Sequence, residues 1–571
     1  MEFDAFVDSF HDHRTQDPNA CVNLGVDRNL GALPDPSLAG IAARLTRARS
    51  LLKGIPKIQR EASSFDRRLD LDLAALSLRA EIHADSYRFR GRTRLEHLPS
   101  AAEDIGDGIF MLFINDPRPA EQRLKNILSR LQAVPDYLQA LQSRLGTPLE
   151  RWRAMDLEKV RELPSLFSTL ADWSASTSWS DHSAFEKARA EAEAALVHYS
   201  EKLASLETHC ELHLETDVAR EIVALRGIEK SLEELHEMAR DYLAENAATL
   251  SELRGRLAKK YGLERRASIE EVESELRKRF APKPEQLNPD WILARYEQER
   301  EKVLAFIAEH DLFPIFKEQD MKILRTPGFM APSIPAGAMV SPAPFREGVR
   351  TSLIYLTLSD ELVARHCDLD VPGMMIHEGI PGHHLQLATA SAHPSVIRRH
   401  VSAMDQAEGW TTMLEDYMLD VGYMGELTDE ARFVAKRDTN RIGARVAIDL
   451  FFMTGNRNFL SVGVEFDDEG ERELDADDPF IAAGALLRAV TGFVPGRIEG
   501  ELNWYSQERG YPLSYLTGNR LVWELKRDVA KGPAGSLSGL ALDRKFHEVY
   551  LHAGNMPVSF LRKVFVEQGL L

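Results

Sequence analysis

Apolar residues recurring at three- and four-residue steps constrain this chain more than any other feature. Between Pro119 and Arg144 they fall at Leu124, Ile127, Leu128, Leu131, Val134, Leu138 and Leu141. That spacing lines one face of an α-helix, whereas a strand repeats every second residue. Pro135 lacks a backbone donor and crowds the preceding turn, so two helices are expected to meet there. Ser183–Leu206, rich in Ala, Glu and Lys, reads as a long amphipathic helix. A further segment is expected to open at Thr208 and continue through Leu214 and Ile222. Helices are also expected over Ile228–Arg254, Ser268–Arg279 and Trp291–His310. The Leu and Met stripes of these segments read as core.

The pattern breaks at Arg325–Val349, where Pro327, Pro332, Pro335, Pro342 and Pro344 mingle with Gly328, Gly337 and Gly348. Irregular backbone is expected there, as in a loop over a cleft. A strand-like run follows at Ser352–Leu358, and Val371 begins a second helical block. The expected organisation is a mostly helical part at 1–324, an irregular segment at 325–350 and a helical part at 351–571. These are expected to form one continuous, mainly α unit. With 571 residues and 44% hydrophobic content, the chain can bury a large core and is not disordered. Its net charge of −19 disfavours nucleic acid, which needs a concentrated basic surface. Cys21, Cys210 and Cys367 are far apart, which argues against disulfides and against a thiolate zinc site. The acidic start MEFDAFVDSFHDH lacks a signal-peptide pattern, and no run of about 18 apolar residues offers a membrane span. A soluble cytoplasmic protein with no membrane or nucleic-acid partner is expected.

The chemistry concentrates in residues 374–388, MMIHEGIPGHHLQLA, which carry His377, Glu378, His383 and His384. In the zincin motif H-E-x-x-H, two His one turn apart hold zinc and the Glu activates water. Here Pro381 stands where the second His would be. On a regular helix His377 and His383 would point roughly 240° apart. His377 and His384 would share a face but sit about 10 Å apart along the axis. A straight helix therefore cannot make this site. Gly379, Pro381 and Gly382 make a bulge the better expectation, and looping out two residues returns His383 to the ligand position. His377 and His383 are the expected ligands, with His384 the competitor for the second place. A catalytic zinc takes a third protein ligand. Glu408 lies 25 residues beyond His383, on what should be the next helix. Glu415 shares its face and is a candidate to orient a ligand His.

These motifs resemble a bacterial family, domain of unknown function 885, with its HE-x-x-PGHH-x-Q signature. Glu408-Gly-Trp with Glu415 is similar to the family's E-G-W-x-x-x-x-E segment. The family in turn resembles gluzincin zinc peptidases such as thimet oligopeptidase, carboxypeptidase Taq and angiotensin-converting enzyme. Dipeptidyl peptidase III offers a precedent for an insertion within H-E-x-x-H. The resemblance implies a large helical, two-lobed, zincin-like body with a deep cleft and a small sheet beside the metal-binding helix. It also implies that Ser352–Leu358 is an edge strand that pairs with substrate, with Tyr355 a candidate contact. Arg509–Gly518 is similar to P-G-Q-A-L-S-Y-x-x-G, which implies an oxyanion role for Tyr515, with Tyr511 and Tyr505 as substitutes. This chain departs from the family at Arg509, Tyr511, Pro512, Met413 and Met453, so substrate contacts are not carried over.

The expected activity is hydrolysis of peptide bonds in small or unfolded peptides. One Zn2+ per chain would sit on His377, His383 and Glu408. Glu378 would be the general base and Tyr515 the oxyanion donor. A binding protein that keeps a decayed peptidase cleft, and a metal-dependent hydrolase of other amides or esters, are the alternatives.

Overall fold

Start and stop signals along the chain define most of the helices. Ser231 caps Glu234 N at 3.1 Å while the Glu234 carboxylate accepts from Ser231 N at 2.7 Å. That reciprocal cap starts the helix at Leu232, later than the expected Ile228, and Gly262 closes it after Tyr261 at φ 70°. Ser268 and Glu271 open Ile269–Arg279 in the same way. The computed structural model describes residues 2–177, 179–326, 337–533 and 537–571. The fold is mainly α with small sheets, as the periodicity predicts.

The chain divides into two compact units. One comprises Met1–Leu212, Ala343–Glu347 and Ser395–Val401; the other comprises His213–Pro342, Gly348–Pro394 and Ser402–Leu571. These units do not coincide with the expected segments 1–324, 325–350 and 351–571. In the first unit, Ala120–Arg144 is a single helix that runs through Pro135, so the expected break is absent. Leu131, Val134, Tyr137, Leu138 and Leu141 are buried on one face, and that packing outweighs the missing hydrogen bond. Among the described residues, the strands of this unit are β1 (Arg88–Phe89) and β2 (Arg92–Thr93), a minimal antiparallel pair. The helix expected to open at Thr208 begins only at Thr216. Before it, His209 pairs its backbone with the 148–150 stretch, accepting from Glu150 N at 2.8 Å.

The second unit holds every candidate site residue. Its sheet comprises β3 (Gln319–Arg325), β4 (Gly337–Val340) and β5 (Arg350–Leu356), in the order β3-β5-β4. β5 runs parallel to β3 and antiparallel to β4. Two corrections follow. Part of the expected irregular segment is strand β4; residues 327–336 of that segment lie outside the described residues. β5 is the central strand, so Ser352–Leu358 is not the expected substrate-binding edge: its backbone is paired on both sides over Leu353–Leu356. A buried cluster that includes Leu253, Leu257, Val272, Leu276, Leu369 and Phe433 seats the start of the motif helix. No helix among the described residues is long and apolar enough to cross a membrane. None of the three cysteines forms a disulfide among the described residues; Cys21 and Cys367 are buried and Cys210 is exposed.

Candidate metal centre

The motif forms two short helices, Asp370–Glu378 and His383–Ser391, joined by a bend whose Ile380–Pro381 peptide bond is cis. The glycines of the bend are sterically required. A Cβ on Gly382 would lie 2.0 Å from the His377 carbonyl oxygen and 2.2 Å from that of Ile376. A Cβ on Gly379 would lie 2.8 Å from the Met375 carbonyl oxygen. With the helix interrupted, the His383 ring stands beside that of His377, centroids 5.0 Å apart at 84°. The indole of Trp410 donates to the Pro381 carbonyl at 2.9 Å and so ties the bend to the helix Met404–Asp420.

That helix carries Glu408 to the two rings. Glu408 Oε2 lies 3.4 Å from His383 Nε2 and 3.8 Å from His377 Nε2. One donor atom from each of the three residues lies within 4.8 Å of the others. Glu415, two turns along the same helix, meets His377 Nδ1 at 2.7 Å. A carboxylate on Nδ1 holds the proton there and leaves Nε2 as the lone-pair donor. Burial would lower the His377 pKa, but Glu415, Glu378 and Glu408 together raise it. Burial pushes Glu408 up, but His383, His377 and a hydrogen bond from Tyr515 bring it down to about 2. Glu378 ends its helix next to His377 and is half-buried.

The other candidates separate clearly. His384 does not face Glu408: it is fully buried and bridges Ser352 Oγ at 2.7 Å and Gln319 Oε1 at 2.5 Å. It ties its helix to β5 and β3, and burial brings its pKa down to about 4. Tyr355 is buried in the central strand at 3% exposure. Tyr511 donates to Glu408 Oε1 at 3.2 Å, and its ring stacks on that of Tyr515 at 5.9 Å. Both phenols therefore meet at the Glu408 carboxylate, and burial raises both pKa values. Tyr505 is fully buried and instead donates to Glu501 at 2.5 Å. Met413 and Met453 are buried core residues.

Several positioning residues had no clear signal in the sequence. Asp449 accepts from Gly510 N at 3.1 Å and Leu513 N at 3.2 Å, which fixes the segment between the two tyrosines' helix and its approach. Arg445 lies over the Tyr515 ring at 4.3 Å and pairs with Glu501 at 2.9 Å. The glycines of the two distant motifs touch. A Cβ on Gly409 would lie 2.4 Å from Gly518 C, and one on Gly518 would lie 2.0 Å from Asp405 O. This close crossing of Met404–Asp420 with Ser514–Lys531 brings Tyr515 beside Glu408. Paired small residues in two separate motifs were the one available signal.

The donor set fits a zinc ion. Glu408 Oε2 is buried, has no hydrogen bond and faces two imidazole nitrogens. Two His nitrogens and one carboxylate oxygen match a catalytic zinc set that leaves a position open.

Fold and site together define a mainly α protein with a two-histidine, one-carboxylate centre built across an interrupted helix. The chain belongs to the family described as bacterial protein of unknown function, domain of unknown function 885, whose profile matches residues 18–565. Two solved structures share its fold, each described as a "putative lipoprotein". One, of unknown function and from Shewanella oneidensis, is 17% identical with a TM-score of 0.76. The other, from Colwellia psychrerythraea, is 15% identical with a TM-score of 0.77. Each alignment covers 99% of both chains. No curated protein matches the chain.

Proposed function

We propose that this protein is a zinc-dependent hydrolase of the metallopeptidase kind, related to the gluzincins. The observation that carries this reading is the convergence of His377, His383 and Glu408 across the bend, with Glu378 next to the first ligand. His377, His383 and Glu408 would hold one zinc ion. When bound, the metal supplies Lewis acidity: it lowers the pKa of a water and polarises the scissile carbonyl. Glu378 takes the proton of the attacking water on its carboxylate and delivers it to the leaving amine. Tyr515 turns its hydroxyl from Glu408 to the developing oxyanion, a neutral donor where charge appears. Tyr511 keeps Glu408 Oε1 hydrogen-bonded while Tyr515 is engaged. Peptides are the proposed substrates. The expected cytoplasmic setting stands against the lipoprotein description of both similar structures, and cell fractionation separates the two.

The test is metal analysis of the purified chain followed by turnover of a mixed peptide library, with and without chelator. About one zinc per chain and chelator-sensitive cleavage are expected. Glu378→Gln should keep the metal and lose about 10²–10⁴ in rate. A chain that binds no zinc refutes the reading. Zinc binding without peptide cleavage would favour a binding protein or a hydrolase of other amides or esters.

A further inference from the structure

The two ligand histidines are supported unequally. His377 has Glu415 on its outer nitrogen. His383 presents Nε2 to Glu408, but its Nδ1 is buried and makes no hydrogen bond. A neutral imidazole that ligates through Nε2 carries its proton on Nδ1, and that N–H needs an acceptor. Three residues along the same helix lies Gln386, at 2% exposure. Both its amide oxygen and its amide nitrogen are buried and without a hydrogen-bond partner. A buried amide left wholly unsatisfied is rare in a folded chain and marks a missing partner.

Helix geometry relates the two. Residues three apart lie on one face, and helical side chains lean toward the N-terminus. Gln386 therefore shares a helix face with His383, which holds the first position of the helix. His384 is excluded as the acceptor, since both its ring nitrogens are engaged by Ser352 and Gln319.

We propose that Gln386 is the positioning residue for His383. Its amide oxygen accepts the Nδ1–H, by rotation of the side chain or through one buried water, as Glu415 does for His377. The inference rests on the zinc reading above and concerns metal affinity. Gln386 touches neither substrate nor metal.

The experiment measures zinc affinity of the full chain by competition with a chromophoric chelator, and the visible spectrum of the cobalt-substituted protein. Gln386→Met removes the acceptor at similar volume and should weaken zinc about 10- to 100-fold. Glu415→Ala, which strips His377 of its acceptor, should show a loss of the same size. Gln386→Glu restores an acceptor, and should regain wild-type affinity or better with a shifted cobalt spectrum. A Gln386→Met chain that binds zinc as the wild type does, with an unchanged cobalt spectrum, overturns the proposal. Should that variant fail to fold, an unchanged cobalt spectrum in Gln386→Glu overturns it instead. A wild-type chain that binds no zinc removes this inference and the hydrolase reading together. Stoichiometric zinc in the wild type with no effect at Gln386 removes this inference alone.

Discussion

At the scale of single residues, the centre depends on Gly382 as much as on the ligands. Its missing side chain lets the bend pack on the carbonyls of Ile376 and His377, which are backbone and cannot swing aside. Gly382→Ala should cost about 3 kcal/mol or more and abolish tight zinc binding. Urea denaturation and metal competition check it, and an unchanged midpoint would show that the bend tolerates a side chain. The spacing of His377, Glu378, His383 and Glu408 made the cluster legible in the sequence, since Pro381 and two glycines forbid a straight helix. The choice of His383 over His384 was not legible. It depends on Ser352 and Gln319, which lie in other strands and take His384 out of reach.

At the scale of elements, two helices cross at Gly409 and Gly518, and that crossing sets the distance from Tyr515 to Glu408. An alanine inside a helix ordinarily gains about 1 kcal/mol over glycine. At Gly518 the added Cβ would fall 2.0 Å from the Asp405 carbonyl, so the helices must separate and the clash wins. Gly518→Ala should lower stability by about 2–4 kcal/mol, read from its denaturation midpoint. Pro135 runs the opposite way. It sits inside an intact, well-packed helix, so Pro135→Ala should add about 1–3 kcal/mol by restoring a hydrogen bond. A lower melting temperature for that variant would show that the proline is needed where it stands. Its tolerance was not readable locally, because the compensation comes from packing against distant residues. Strand order was equally hidden: a run of β-forming residues marks a strand but not its neighbours.

At the scale of the whole chain, buried carboxyls and buried histidines shape the pH response with opposite signs. Burial raises Asp405 and Asp449 from 3.8 to about 7 each. A carboxyl with a raised folded pKa favours folding most below its unfolded pKa, and that contribution is lost as pH rises toward 7. Each amounts to up to roughly 4 kcal/mol at about 1.4 kcal/mol per pKa unit. Glu501 has the opposite sign. Burial opposes its ionisation, but Arg445 and Tyr505 bring it down to about 2, so its contribution appears above about pH 4.5. Through Asp405 and Asp449 the metal-free protein should lose stability from pH 5 to pH 8, a slope opposed by His384, His400 and His547, whose pKa values burial lowers. Asp405→Asn keeps the acceptor for Val558 N, 2.9 Å away, and should flatten that slope. An identical slope in the variant would contradict this origin. The net charge of −19 acts in the same direction through self-repulsion.

By itself the sequence determined that the chain is mainly helical, where most helices lie and which short motif and which glutamate form the metal-binding candidate. Those are properties of local spacing: period, caps, and the refusal of proline and glycine to continue a helix. Only the tertiary structure decided that β5 is central, that His384 serves the sheet, that Tyr511 and Tyr515 share one carboxylate and that the compact units part at Leu212. Each of these depends on which distant residues meet, and meeting is governed by packing and hydrogen-bond satisfaction across the fold, which no local pattern encodes.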